Sequence, residues 1–234
     1  MKKILLSPWT AVITLLVLLM VRFSDPSFVE SIRLRYFDTL ITSKSVTNSE
    51  QIEIVNIDDA TVKQLGQFPF PRGEYGRIIT DLYSRNAGLV VFGVYMPDGD
   101  RFHQDQTFTE TLKKHPVVLP QMGGTDKPPF EPFRPGVSVI GDDVTQYTVN
   151  YPAIEPNVKL INDSAAGIGV ANVFPEIDGV VRRMPMVISS NGRLYPSIAL
   201  ESLRVAAGDP SFQIKSDGGV QALRIPSYGK IQTD

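Results

Sequence analysis

Eighteen consecutive residues without a charge, Ile4 to Val21 (ILLSPWTAVITLLVLLMV), stand between Lys2-Lys3 and Arg22. As a helix rising about 1.5 Å per residue, this run is about 27 Å long, close to the hydrocarbon thickness of a bilayer. Ser7-Pro8 reads as its start, with Ser at the N-cap and Pro in the first turn, which places Trp9 near an interface. Three readings compete. A buried core helix of this length with basic flanks is uncommon in soluble domains. A cleaved signal peptide needs small residues near the cleavage point, where Met20-Val21-Arg22-Phe23 stands instead. The expectation is therefore an uncleaved anchor over 4–23 behind a cytoplasmic stub of residues 1–3. Lys2 and Lys3 oppose Arg22, Arg33 and Arg35 on the other side, so charge favours an extracytoplasmic body only slightly.

The rest of the chain has the make-up of a folded protein. Of 234 residues 42% are hydrophobic and 21% charged, which excludes wholesale disorder and a polytopic membrane protein. A net charge of −2 carries no electrostatic footprint for nucleic acid. The absence of Cys excludes disulfides, thiolate metal sites and thiol nucleophiles. Two histidines, His103 and His115, are too few for a His-rich metal centre. No cofactor and no metal site is expected.

Ser24-Asp25-Pro26 should break the helix at the membrane surface and start a juxtamembrane helix within residues 24–45. Phe28, Ile32, Tyr36 and Leu40 recur every four residues along it. Such a stripe ordinarily packs on its own domain; the alternative is pairing with a second copy or relaying motion to the bilayer. After the polar segment Thr42 to Gln51, Ile52 to Ile57 reads as a β-branched strand ending at Asp58-Asp59. A short helix to Leu65, an amphipathic helix from Glu74 to Asn86 and the apolar run Leu89 to Tyr95 complete a strand–helix–strand unit. Asp105 to Lys114 predicts a helix and Pro116 to Pro120 a strand; Pro128 to Pro135 is a Pro-stiffened loop. Val180 to Ile188 predicts a strand, Asn191-Gly192 a hairpin turn, and Pro196 to Ala207 a helix stopped by Gly208. The fold class is α/β, one domain over 46–234 with a mixed, largely parallel sheet and flanking helices, preceded by one transmembrane helix.

Chemistry-bearing patterns are sparse. Asp58-Asp59 follow a strand end, where Mg²⁺ and ligands bind in open α/β sheets, although one Asp capping the next helix is the simpler reading. With Met96-Pro97-Asp98-Gly99-Asp100 they are similar to the acidic turns of phosphate-receiver domains, but Gly93 occupies the acceptor position, which excludes phosphoryl acceptance there. Gly123-Gly124 and Gly167-Ile168-Gly169 are weak phosphate signatures, and no catalytic triad is evident.

Several of these pieces, in order, resemble the CHASE type 2 sensory domain, an extracytoplasmic module of bacterial receptors. Arg35-Tyr36-Phe37-Asp38-Thr39-Leu40 resembles the element after its anchor, and Ile54 to Asp59 its first strand end. Leu65 to Arg72 (LGQFPFPR) resembles its Gly-x-Trp-Pro-Trp-Pro-Arg turn, with Phe for both Trp. Asp178-Gly179-Val180-Val181-Arg182-Arg183 and Pro196-Ser197-Ile198-Ala199-Leu200 resemble its later elements. Gly93 departs from the pattern, which commonly has Asp there, and leaves open whether a ligand contact is missing.

The resemblance implies a sensor without enzymatic activity, the amino-terminal piece of a longer receptor with a kinase or cyclase output domain. Its expected partners are the membrane, a small-molecule or protein ligand and a second copy of the chain. Candidate ligand contacts are Arg72, Asp58, Asp59, Asp98, Arg182 and Arg183, the paired arginines suiting an anion. A structural alternative is that Arg72 and Arg182 pair with Asp58 or Asp178 to lock turns. Two rival functions are a tethered Mg²⁺-dependent phosphohydrolase using Asp58, Asp59 and Asp98, and a structural dimerisation module.

Overall fold

The computed structural model describes residues 8–44, 49 and 51–233. The stub 1–3, the first four residues of the apolar run and most of the 45–50 segment lie outside them. The chain divides into two compact units, residues 1–56 with 175–182 and residues 57–174 with 183–234.

The smaller unit is helical. Helix α1 (Pro8–Ser24) is apolar all round and exposed. Asp25 adopts a positive φ of 36°, Pro26 occupies the N-cap of α2 (Ser27–Thr42), and the two helices meet at 82°. Pro cannot continue a helix interior but suits its entry, so the break falls where the sequence places it. Among the described residues no single helix is long and apolar enough to cross a membrane, but this bent pair passes together by length and composition. The expectation that the Phe28 stripe packs on its own domain is corrected. Phe28, Ile32, Tyr36 and Leu40 are exposed, and Leu34 is the buried residue of α2.

The larger unit begins with α3 (Asp59–Leu65) and α4 (Arg72–Ser84). There follow β1 (Val90–Val91), α5 (Asp105–Lys114), β2 (Val117–Gly124) and β3 (Gly136–Gly141). A 3₁₀ turn (Val144–Tyr147) leads to β4 (Val149–Tyr151), β5 (Ala153–Glu155), α6 (Lys159–Asn162) and β6 (Gly167–Val170). The unit closes with β7 (Val187–Ser190), β8 (Arg193–Pro196), α7 (Ile198–Ala206), β9 (Ser211–Ser216), β10 (Val220–Ile225) and β11 (Gly229–Gln232).

One largely parallel sheet is replaced by three mixed ones: β1-β2-β5 with β6 also on β2, β11-β10-β9-β3, and β4-β7-β8. Four pairings are parallel and four antiparallel. The tight connections between β7 and β8, and through β9, β10 and β11, admit only antiparallel neighbours. A second reason is that Ile52 to Ile57 joins no ladder; its Ile52 and Ile54 are 72% and 79% exposed. β-Branched residues favour an extended backbone, but a strand exists only with a neighbour to bond.

The expected strand at Leu89 to Tyr95 is likewise short. Only Val90 and Val91 pair, with Val117 and Val118, and side chains alternate between buried Val90 and exposed Val91. The strand covered on both faces is β2, where Val117, Val118 and Leu119 are all fully buried between parallel β6 and β1. Strand β7 starts only at Val187, so Val180 to Met186 is not part of it. Asn191 and Gly192 both take positive φ, 50° and 72°, as the hairpin turn requires.

The core of this unit lies where α4 and α5 cover the first sheet: Tyr75, Ile79, Phe108, Leu119, Ile161 and Ile168 pack together. A second cluster joins α7 to β9 and β10 through Leu200, Phe212, Ile214 and Leu223. Helix α7 starts with Ser197 as N-cap, whose hydroxyl accepts from the Leu200 amide at 3.3 Å. Pro196 ends β8 rather than opening this helix. The Gly167-Ile168-Gly169 step has a packing role: a Cβ on Gly169 would lie 2.4 Å from Ile198 Cα. Only glycine lets β6 approach α7 that closely.

Candidate functional site

In the smaller unit two stretches that are 144 residues apart in sequence meet at Arg182. The turn Glu176–Val180 is closed by the Val180 carbonyl accepting from the Glu176 amide at 2.9 Å, with Gly179 at a φ of 82°. That turn leaves Asp178 and Arg182 facing each other. Arg182 donates from Nε and Nη2 to the two carboxylate oxygens of Asp38 on α2, both at 2.7 Å. It also donates from Nη1 and Nη2 to Asp178 at 2.9 and 2.6 Å, and Glu176 lies 3.8 Å away. The guanidinium is thus forked into two carboxylates at once, a geometry that a lysine cannot copy. Its side chain is only 6% exposed.

These bonds set the local electrostatics. Hydrogen bonds from Arg182, then from the Val180 amide, pull the Asp178 carboxyl down to about 2. The Arg182 bond likewise lowers Asp38, and both carboxylates push the guanidinium above its ordinary value. The arrangement is a clamp between α2 and the 175–182 segment, whose two ends continue into β6 and β7.

In the larger unit Arg72 opens α4, only 7% exposed. Its guanidinium donates to the Asp98 carbonyl and pairs with Asp105, while its amide donates to Asp100 at 3.3 Å. Asp100 also accepts from the Gln104 amide at 3.1 Å, and Gln104 accepts from the Gly73 amide at 2.9 Å. Desolvation lowers the Arg72 pKa, opposed by Asp100 and Asp98. The Pro-x-Pro-Arg turn is thereby tied to the start of α5, and the partner carboxylates are Asp100 and Asp105 rather than Asp58.

Asp58 is the N-cap of α3, accepting from the Thr61 amide at 2.8 Å and its hydroxyl at 2.7 Å; these bonds lower its pKa. Asp59 lies in the first turn of α3, exposed, and Asp98 and Arg183 are exposed as well. Among the described residues no group of three or more His, Asp or Glu is placed to hold a metal ion, so Asp58, Asp59 and Asp98 do not form such a group.

A cleft of about 410 Å³ that the sequence reading passes over lies between the Pro-rich loop and the β7–β8 hairpin. Lys127, Phe130, Glu131, Ser190, Arg193 and Tyr195 contribute to its walls. Glu131 pairs with Arg193 across it, and Lys159 Nζ stands 5.2 Å over the Phe130 ring. The Tyr195 ring is buried; burial raises its hydroxyl pKa, with Arg134 and Arg193 opposing. Its walls set the two aromatic rings, two prolines and Ile154 against five polar or charged side chains. The signals were in the sequence, as alternating Pro, Phe and charge from 128 to 135, but only tertiary pairing puts them opposite the hairpin.

The family model for the CHASE2 domain matches residues 12–233, nearly the whole chain. No curated protein and no solved structure matches.

Proposed function

We propose, from the premise that this chain belongs to the CHASE2 domain family, that it is the ligand-sensing part of a membrane receptor. CHASE2 domains are extracytoplasmic sensory modules, not catalysts. On this reading α1 is the single membrane anchor, the body is extracytoplasmic, and a cytoplasmic kinase or cyclase is the output. The ligand enters the cleft beside the β7–β8 hairpin, where Arg193 exchanges Glu131 for an anionic or polar group.

The observation that carries the reading is the Arg182 clamp. The segment it closes is continuous with β6 and β7, and the helix it grips is continuous with the anchor. A ligand that shifts β7 therefore pulls on α2 through one guanidinium. Such coupling is bounded by the ligand's differential affinity for two states, typically about 1–3 kcal/mol.

Two measurements test it. A reporter active only outside the cytoplasm, placed after residue 234, should be active, and activity of a cytosol-only reporter there would overturn the topology. In the receptor carrying its output domain, Arg182→Lys should abolish the response to ligand while leaving the body's melting temperature unchanged. A normal response in that variant sinks the clamp as the transmission element.

A further inference from the structure

We infer that α2 is an interfacial helix that lies flat on the outer leaflet, its Phe28–Leu40 stripe sunk among the lipid headgroups. The inference rests on the reading of α1 as a membrane anchor and adds a second, separate contact with the bilayer.

Successive residues of a helix are turned by about 100°. That rotation places Phe28, Ile32, Tyr36 and Leu40 on one side of α2 and Glu30, Leu34 and Asp38 on the other. On the second side Leu34 is buried and Asp38 is held by Arg182, while Ile41, which the same rotation places there, is 49% exposed. The apolar side is therefore the one turned away from the clamp, and its four residues are 46–65% exposed. A soluble helix has the reverse arrangement.

What covers this stripe follows from three features. First, α2 leaves α1 at 82°, so with α1 along the bilayer normal α2 lies nearly in the membrane plane at the level where α1 ends. Second, Arg35 flanks the stripe on one side and Arg22 sits in the last turn of α1, while Arg33 on the other side is held by Asp25 at 3.0 Å and Glu30 at 2.6 Å. Among the described residues Arg22 and Arg35 make no ion pair. Cations at the rim of an aromatic and aliphatic face match anionic headgroups above an acyl layer. Third, the stripe offers four exposed apolar side chains, against roughly 20–30 residues on each side of a stable protein–protein interface. Lipid needs no such minimum, because its acyl region continues from the surface of α1.

The test uses the absence of cysteine in this chain. Ile32→Cys, Tyr36→Cys, Leu15→Cys and Tyr228→Cys are each made in the full chain and nitroxide-labelled. They are reconstituted in vesicles of phosphatidylethanolamine and phosphatidylglycerol at 3:1. Collision with oxygen and with a water-soluble nickel chelate gives each label's depth, and circular dichroism checks that each variant keeps the parent's helicity. Labels at 32 and 36 should sit about 5–10 Å below the phosphates, between the deep label at 15 and the aqueous label at 228.

Labels at 32 and 36 in water, with 15 in the hydrocarbon, overturn the interfacial helix and leave the anchor standing. Spin–spin broadening at 32 that disappears on dilution with unlabelled chain, without oxygen contact, overturns it in favour of a second copy. Depths at 32 and 36 equal to that at 15 overturn it in favour of a re-entrant segment. A label at 15 in water removes the anchor and this inference together.

Discussion

Helices α2 and α4 carry the same kind of sequence and meet opposite ends. Both repeat apolar residues at helical spacing, Phe28, Ile32, Tyr36 and Leu40 in one and Tyr75, Ile79 and Leu82 in the other. In α4 Tyr75 is 1% and Ile79 0% exposed, packed with Phe108 and Phe92 beneath the first sheet. In α2 the corresponding stripe faces away from the packed side. Amphipathic periodicity specifies that a helix has an apolar face; it does not specify what solvent or surface that face will meet. The same applies to the arginines that open or close turns. Arg72 is fixed within the larger unit, whereas Arg182 joins a helix to a turn.

The sharpest way to break this contrast is a pair of truncations in detergent. Ile79→Ala should cost about 2–5 kcal/mol in urea unfolding, because it leaves a cavity in a filled core. Ile32→Ala should change stability by less than about 0.5 kcal/mol, as an exposed substitution does. Comparable losses at both sites would mean that the α2 stripe is packed after all. Next in size, Arg72→Ala should cost about 3 kcal/mol, since it leaves Asp105 and Asp100 partly buried without their cation. Arg182→Ala should leave global unfolding near the parent and act locally. Hydrogen exchange at the Glu176 and Gly179 amides should rise about tenfold, read by mass spectrometry. The smallest effect is expected at Asp58→Ala, which frays the first turn of α3 and is read as faster exchange at Thr61 alone.

Acid sharpens the same distinction. The Asp178 carboxyl is held at about 2, below the value of about 3.9 in an unfolded chain. A depressed carboxyl contributes stability above its unfolded pKa and loses it as pH falls through the folded one. The clamp should therefore be unchanged from pH 8 to 5 and open between about pH 4 and 2. Arg182 stays charged throughout, because its own shift is upward. Protease cleavage within 175–182 that sets in near pH 6 would contradict this assignment.

Much of the larger unit was legible locally. The helix Asp105–Lys114 and the Asn191-Gly192 turn depend on residues within one or two turns of each other, and so does the Asp58 cap. Strand partnership was not. Ile52 to Ile57 has strand composition and no ladder, and β2, not Leu89 to Tyr95, became the strand covered on both faces. Which extended segment finds neighbours depends on chain closure over tens of residues, and single-strand composition holds no record of it. The cleft was hidden for the same reason.

Sequence by itself determined the apolar uncharged run, its break at Asp25-Pro26, the family elements, the Asp58 cap and the Asn191-Gly192 turn. Each is set by side-chain chemistry or by φ preferences within a few residues. Only the tertiary structure decided that Asp38 and Asp178 share Arg182, that Arg72 answers to Asp100 and Asp105, and that the Phe28 stripe faces outward. Those facts depend on which distant groups are brought within about 3 Å of one another, the range over which a hydrogen bond or ion pair is made.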